Sequence, residues 1–323
     1  MEVVPISQFS RPIIVISKCL GFAACRYDGQ IVSSPFVESM KPFVEFIDTC
    51  PECEIGLGVP REPIIIVLDG EKRLVQPASG LDLTEQMIKF AHSYLEELAD
   101  FDGFILKSKS PSCGIGTTKV FSDVNAYFDS DEWFSRNENG FFADAIFEEF
   151  WHLPIVDEFG MSDTMIRDHF LTRIFTLASF RDFWNSKSID SLLEFHTRNK
   201  LLFMAYNKEL MTIMGNIVAN HGGLKVDDVY EQYLQFLLEL LSSPARSSST
   251  INAMMHAFGY FSRNLSARDK FLFLNKLQAY REDSSVLFEL RELLRSRVEQ
   301  FKIEYLYSQT LFSPYPSEIS DSF

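Results

Sequence analysis

Positive charge is scarce in this chain. Its 323 residues include 30 Lys and Arg against 45 Asp and Glu, so the formal net charge is −15 at pH 7. A surface this acidic repels nucleic-acid phosphates and anionic membranes. No run of Lys or Arg provides a local exception. We therefore expect neither a nucleic-acid duplex nor a membrane as a partner.

Long hydrophobic runs are also missing. No apolar run approaches the ~18 residues that cross a bilayer. The segment from Met1 to Gln8 lacks the basic and apolar regions of a secretory signal. We therefore expect a soluble cytoplasmic protein, in which free thiols stay reduced. The five cysteines are an odd number, which argues against a disulfide-stapled secreted scaffold.

Several motifs of known chemistry are absent. The six histidines make no H-x-x-x-H or H-E-x-x-H spacing, and no phosphate loop of the form G-x-x-x-x-G-K-S/T occurs. Cys50 and Cys53 form a C-x-x-C pair, but a zinc knuckle needs a second pair and the chain has none. We therefore interpret Cys53 and Cys25 as incidental thiols.

The first half of the chain alternates strand-like and helix-like segments. Short apolar runs predict buried strands, and apolar residues at helical spacing predict helices. Strands are expected at residues 13–16, 64–68, 73–75, 104–107 and 153–156, and helices at residues 35–48, 82–98 and 142–151. The second and third strands are close enough to form a hairpin. This alternation is typical of a mainly parallel α/β sheet, whose ligands bind at the carboxyl ends of its strands.

The pattern changes after residue 160. From residue 163 to residue 303 the apolar spacing is mostly helical, and Phe and Leu are dense, as in the core of a helical bundle. We therefore predict an α/β domain over residues 1–158, followed by an all-α helical domain over residues 159–323.

Three cysteines of the first domain lie in turn-forming segments. Cys19, Cys50 and Cys113 are each flanked by Gly, Pro or Ser. Thiols that arrive from three separate loops are typical of a metal site. A cubane iron–sulfur cluster usually takes four cysteines, so three would leave one iron open to substrate. The alternative is that each cysteine is a small buried hydrophobe.

Two polar side chains are tied to these loops. Glu52 lies two residues beyond Cys50, and Ser110 lies three residues before Cys113. If the loops converge, a carboxylate and a hydroxyl lie beside the open iron. A carboxylate there can accept and donate protons. The alternative is that both side chains only form hydrogen bonds within their loops.

Charged residues flank the same segments. Arg61 is expected to pair with Glu62 or Asp28 and to tie loops together. Lys107 and Lys109 bracket the third cysteine loop, where their charges would offset that of a cluster.

Four segments of the first domain, taken in order, resemble the thiouracil desulfidase (TudS) family over about residues 10–157. They are residues 17–21, 25–29, 50–52 with 58–63, and 106–114. The second half resembles the YbgA-type helical domain of uncharacterised function. The matching segments there are residues 195–197 with Lys200, 252–260 and 313–316. Cys25 and Cys53 depart from the first family, where small aliphatic residues are expected, and both are close enough to compete as ligands.

The resemblance implies non-redox desulfuration of a thiolated nucleobase, such as 2-thiouracil, to uracil and hydrosulfide. It implies a 4Fe–4S cluster held by Cys19, Cys50 and Cys113, with the open iron taking the substrate sulfur. Glu52 and Ser110 would then assist the reaction. The alternatives are a non-enzymatic iron–sulfur module for sensing or sulfide transfer, and a zinc-stabilised interaction protein. The helical domain would cover the cluster or form a homodimer surface.

Overall fold

The computed structural model describes residues 9–128 and 133–320. These fall into two compact units, one from Pro12 to Asp163 and one from Thr164 to Ser317, with residues 9–11 grouped with the second and residues 318–320 with the first. The boundary between residues 158 and 159 stays a prediction. Residues 1–8, for which the sequence predicts no secretory signal, lie outside the described residues. Within the described ranges, no helix combines the length and the apolar character needed to cross a membrane.

The first unit alternates strands and helices. Its strands are β1 (Ile13–Ser17), β2 (Glu45–Thr49), β3 (Ile65–Leu68), β4 (Lys72–Gln76), β5 (Leu81–Asp82), β6 (Gly103–Leu106), β7 (Thr118–Phe121), β8 (Trp133–Glu138) and β9 (Ile155–Asp157). Its helices are α1 (Pro35–Met40), α2 (Pro51–Glu54), α3 (Thr84–Glu97), α4 (Val124–Phe128) and α5 (Phe141–Phe150).

Two sheets organise this unit. The first has the strand order β2-β1-β6-β9, and all of its pairs are parallel. The second has the order β5-β4-β3-β7-β8 and is mixed. The predicted hairpin is confirmed, because β3 and β4 pair antiparallel with Ile65 opposite Val75. The parallel sheet followed by a long run of helices confirms the predicted fold class.

Burial explains the strand sequences of the parallel sheet. Ile14, Val15 and Ile16 of β1 are fully buried. Parallel strands are covered on both faces, so they form continuous apolar runs rather than alternating ones. Helices α3 and α5 supply one cover by packing Leu95 and Phe142 into the same cluster as the strand residues.

The helix predicted over residues 35–48 is too long. Helix α1 ends at Met40, and Glu45–Thr49 form the edge strand β2. Phe46 and Ile47 satisfy a strand pattern as well as a helical one, so periodicity alone cannot separate the two. Pairing with β1 decides the conformation. Cys50 therefore follows a strand, and not a helix as expected from the sequence.

The second unit is helical. Its helices are α6 (Thr164–Asn185), α7 (Ile189–Tyr206), α8 (Lys208–Ala219), α9 (Val226–Leu240), α10 (Ser247–Gly259), α11 (Ala267–Glu282), α12 (Leu287–Phe301) and α13 (Glu304–Tyr307). A last short helix, α14 (Ser317–Ser320), begins at the last residue of this unit, and its other residues group with the first unit. Many of its phenylalanines are buried in a core, although Phe271 is exposed. The ring of Phe180 lies 5.4 Å from that of Phe195 and 5.7 Å from that of Tyr233. A buried ion pair joins Asp168 to Arg291.

Candidate active site

The three predicted ligand loops start from neighbouring strands of the parallel sheet. Cys19 follows β1, Cys50 directly follows β2, and Cys113 lies in the loop beyond β6. Since these strands are parallel, their carboxyl ends meet at one edge. Hydrogen bonds join the carboxyl ends of these strands. Between β1 and β2, the Lys18 N–H donates to the Thr49 carbonyl at 2.8 Å. The Lys107 N–H donates to Ser17 Oγ at 2.9 Å.

A cavity of about 1190 Å³ opens at this edge. It brings together all five residues predicted for the site, which are Cys19, Cys50, Glu52, Ser110 and Cys113. Cys25 also lines the cavity, whereas Cys53 is not one of its lining residues. The two extra thiols therefore occupy different positions relative to the site.

The thiols that line the cavity are buried. Cys19, Cys25, Cys50 and Cys113 are all at most 9% exposed. A hydrogen bond with the Cys19 thiol, followed by burial, raises the pKa of Cys25 to about 11. Burial raises the pKa of Cys113 to about 12, and an interaction with Ser17 opposes this shift. A metal that binds here must therefore displace thiol protons at neutral pH.

The Cys113 loop is fixed by the start of α5. The carbonyls of Pro111 and Ser112 accept hydrogen bonds from the backbone N–H groups of Phe141 and Phe142 at 3.1 and 2.9 Å. These N–H groups have no partners within their own helix. The loop therefore caps α5, and the helix in turn holds the cysteine in place.

Gly140 allows this close approach. A Cβ atom added at Gly140 would lie 2.3 Å from the carbonyl carbon and oxygen of Ser112 and 2.8 Å from the Cys113 nitrogen. These are backbone atoms of the cysteine loop, so they cannot move aside as a flexible side chain would. The packing of α5 against the site loop thus requires glycine.

We predict that Gly140→Ala displaces the Cys113 loop. The expected loss of stability is about 1–3 kcal/mol, as for other overpacked sites, and iron incorporation should fall with it. Thermal unfolding and iron per chain measure the two effects. Gly58→Ala is the matched control, because a Cβ there meets nothing within 4 Å. Equal behaviour of the two variants would contradict the role of Gly140.

Both carboxylate oxygens of Glu52 are engaged. Ser112 Oγ donates to Oε1 at 2.7 Å. Arg61 donates to Oε2 through Nε at 3.0 Å and also through Nη2. The Glu52 side chain is 13% exposed and the Arg61 side chain 5%. The expected pairing of Arg61 with Glu62 or Asp28 is therefore wrong, since its partner is the candidate catalytic carboxylate.

Ser110 organises the third loop through its hydroxyl. Its Oγ accepts the backbone N–H groups of Ser112 and Cys113 at 3.2 and 3.1 Å. The hydroxyl also interacts with the Cys113 thiol and opposes the rise in its pKa. Ser110 is therefore both a loop-forming residue and a polar group at the cavity wall.

The cavity wall is locally cationic in an acidic chain. Its cationic residues are Lys18, Arg26, Arg61, Lys107, Lys109 and Lys119, and its carboxylates are Glu52 and Glu158. Glu158 forms an ion pair with Lys107 and accepts the Ser108 N–H at 2.7 Å. Four of the six cations already form ion pairs: Lys18 with Asp48, Arg26 with Asp28, Arg61 with Glu52 and Lys107 with Glu158.

The donor set fits an iron–sulfur cluster. Thiolates are the ligands of such clusters, and buried thiols from three loops line one cavity here. Among the described residues, no three His, Cys, Asp or Glu side chains converge as the ligands of one metal ion would. The cysteines of a cubane each bind a different iron, so its thiols need not converge on one point.

Sequence reasoning missed one polar residue at this site, Ser112, and assigned the wrong partner to another, Arg61. Ser112 is fully buried and lies in the segment 106–114, but nothing in its spacing separates it from Ser110. Arg61 was assigned a different partner because Glu62 is adjacent to it. Both errors concern contacts between loops that are distant in sequence, which local spacing does not report.

Comparisons with known proteins match the first and second parts of the chain to two different families. The profile of the 2-thiouracil desulfurase family matches residues 14–158, and that of a family of unknown function, DUF1722, matches residues 200–316. The "Uncharacterized protein YbbK" of Bacillus subtilis (strain 168) is 36% identical over 114 residues, which are 32% of this chain and 74% of YbbK. The "Uncharacterized protein YbgA" of Escherichia coli (strain K12) is 28% identical over 131 residues, which are 40% of this chain and 78% of YbgA.

A solved structure of a 4Fe–4S-dependent thiouracil desulfidase, TudS, is also similar. It is 28% identical, the match covers 47% of this chain and 94% of TudS, and the TM-score is 0.36. The family matches confirm the resemblance drawn from the motifs. The chain belongs to the 2-thiouracil desulfurase family through its first half, and its second half carries a DUF1722 domain.

Proposed function

We propose that this protein desulfurates thiolated pyrimidine bases such as 2-thiouracil, and that the reaction depends on a 4Fe–4S cluster. The observation that carries the proposal is the cavity. Buried thiols, the hydrogen-bonded carboxylate of Glu52 and the hydroxyl of Ser110 all line it. Membership of the 2-thiouracil desulfurase family supports the reaction class.

Cys19, Cys50 and Cys113 would hold the cluster. A cluster held in this way would have one iron without a cysteine ligand, and that iron would supply Lewis-acid chemistry to the substrate sulfur. The cavity is far larger than a pyrimidine ring, so it has room for both the cofactor and the base.

Glu52 is the proposed proton acceptor. A carboxylate offers about four lone-pair positions, and Ser112 and Arg61 use three of them. The remaining position can accept a proton from an attacking water. Ser110 would orient that water or the substrate, because its hydroxyl lies at the cavity wall beside Cys113.

The reaction balances without an oxidant or a reductant. The carbon–sulfur bond of the base breaks and a carbon–oxygen bond to water forms. Uracil keeps the water oxygen as its carbonyl, sulfur leaves as hydrosulfide, and one proton is released. Glu52 takes up a water proton during this exchange and later returns it to the solvent or to the leaving sulfur.

The direct test is anaerobic turnover. The protein is reconstituted with iron and sulfide, 2-thiouracil is added in large excess, and uracil and hydrosulfide are both quantified. We expect many equivalents of each per chain in a 1:1 ratio. The absence of uracil would overturn the proposed function.

The same experiment tests the second candidate, a module that only transfers or senses sulfide. Such a module takes up one sulfur per cluster and then stops, so it would give about one equivalent of uracil at most. Cys25 is the specific observation that favours considering it, because a further thiol interacts with the Cys19 and Cys50 thiols at the cavity.

A further inference from the structure

We propose that Arg61 and Ser112 are positioning residues that set the orientation of the Glu52 carboxylate for proton transfer. This inference rests on the proposed function, because it assigns a role within that reaction. It goes further by naming which side chains of the fold aim the carboxylate and how they are linked to the cysteine loops.

Arg61 restricts the carboxylate from one side. Its guanidinium donates to the single oxygen Glu52 Oε2 through both Nε and Nη2, so two hydrogen bonds hold that oxygen. Its third nitrogen, Nη1, donates to the Cys25 carbonyl at 2.9 Å and the Gly58 carbonyl at 3.2 Å. With these contacts the guanidinium cannot rotate without losing several hydrogen bonds. The position of Glu52 Oε2 is therefore fixed with it.

Ser112 restricts the carboxylate from the other side. Its side chain is fully buried, and its hydroxyl donates to Glu52 Oε1 at 2.7 Å. Its backbone carbonyl is held by the N–H groups of Phe142 and Ala143 at 2.9 and 3.1 Å. Helix α5 therefore holds the backbone of Ser112 in place, and with it the hydroxyl that donates to Glu52.

These contacts make Glu52 the junction of the three cysteine loops. Glu52 belongs to the Cys50 loop and Ser112 to the Cys113 loop. Arg61 links the carboxylate to the Cys25 carbonyl in the segment that follows Cys19. A change in any of the loops therefore reaches the carboxylate through a hydrogen bond.

The arrangement differs from an ordinary surface ion pair. Arg73 is another arginine that forms ion pairs, with Asp69 and Asp82. Its side chain is 37% exposed and does not line the cavity. Exposed ion pairs add little to the stability of the fold and hold their side chains only loosely. The Arg61 side chain is 5% exposed, and its partner Glu52 lines the cavity.

The test compares Arg61→Lys with Arg73→Lys in the reconstituted full-length protein. Lysine keeps the charge but cannot form the two-pronged contact. A misplaced catalytic group costs up to about 100-fold in rate, so we expect kcat to fall about 10- to 100-fold in Arg61→Lys. KM and iron per chain should stay near the wild-type values. Arg73→Lys should match wild type in all three.

A double-variant cycle separates positioning from general loop support. If Arg61 acts through Glu52, Arg61→Lys should not slow the reaction further in a Glu52→Gln background. Ser112→Ala should behave likewise, with a smaller decrease in kcat when introduced alone. Independent, multiplying losses would indicate a structural role and overturn the proposal.

Two other results separate this inference from the proposed function. Wild-type turnover with equal kcat values for Arg61→Lys and Arg73→Lys would overturn the positioning role alone. A decrease in activity that merely follows a loss of iron would also overturn it, because the residue would then support the cofactor site and not the carboxylate. Absence of turnover in the wild-type protein would overturn the proposed function, and the inference with it.

Discussion

Cys113→Ser should remove both the cluster and the desulfuration activity. Helix α5 anchors the Cys113 loop, and the Cys113 thiol is buried at the cavity. Another thiol could take its place only if the backbone of that loop changed conformation. A serine hydroxyl is a poor substitute for a thiolate as an iron ligand. We expect iron per chain to fall from about four to near background, with uracil formation lost in parallel. Anaerobic reconstitution followed by iron and uracil analysis measures both.

Cys53→Ser is the matched control for this prediction. Cys53 belongs to the same C-x-x-C pair as Cys50, but it is half-buried and is not one of the cavity-lining residues. The variant should keep its iron and its activity. Loss of iron in Cys53→Ser, or its retention in Cys113→Ser, would contradict the proposed ligand set.

Glu52→Gln should abolish most of the activity while leaving the cluster in place. Glutamine has nearly the same shape, but it cannot accept a proton at neutral pH. Losing general acid–base catalysis costs about 10²- to 10⁴-fold, so kcat should fall within that range. Iron per chain and the visible absorption of the cluster should be unchanged. Steady-state kinetics on the reconstituted protein give the measurement.

Glu54→Gln provides the control within the same short helix. Glu54 is exposed, whereas the Glu52 side chain is largely buried between Arg61 and Ser112. The Glu54→Gln variant should retain wild-type kinetics. If Glu52→Gln matched it, Glu52 would be a structural residue only and another group would have to move the proton.

Local sequence signals were sufficient for most of the α/β unit. The apolar run at Ile14, Val15 and Ile16 predicts a strand buried on both faces, and the structure buries all three residues fully. The two strands around the Asp69–Gly70 turn pair as predicted. Burial and turn formation are local effects, and the residue types record them directly.

The parts that failed depend on contacts between distant segments. The spacing of apolar residues in 35–48 fits one helix, but β1 recruits Glu45–Thr49 as an edge strand. The second, mixed sheet likewise depends on the pairing of β7 with β3, and β4, β5, α3 and β6 lie between these two strands in the chain. A single sequence carries no direct record of such pairings.

The candidate site shows the same division. Turn-forming neighbours predicted three cysteine loops, and the parallel strand order brings the loops to one edge. The partner of Arg61 could not be read from the sequence, because nearby acidic residues compete with Glu52 on spacing alone. The roles of Cys19, Cys50, Cys113, Glu52 and Ser110 stay predictions until variants are measured.

The most direct test of the central claim is uracil formation as iron and sulfide are restored stepwise to metal-free protein under anaerobic conditions. The account predicts that the metal-free protein is inactive. Activity should then rise with bound iron and reach a plateau at about four irons per chain, with many turnovers of 2-thiouracil. Uracil formation without iron, or a fully loaded protein that forms no uracil, would contradict the account.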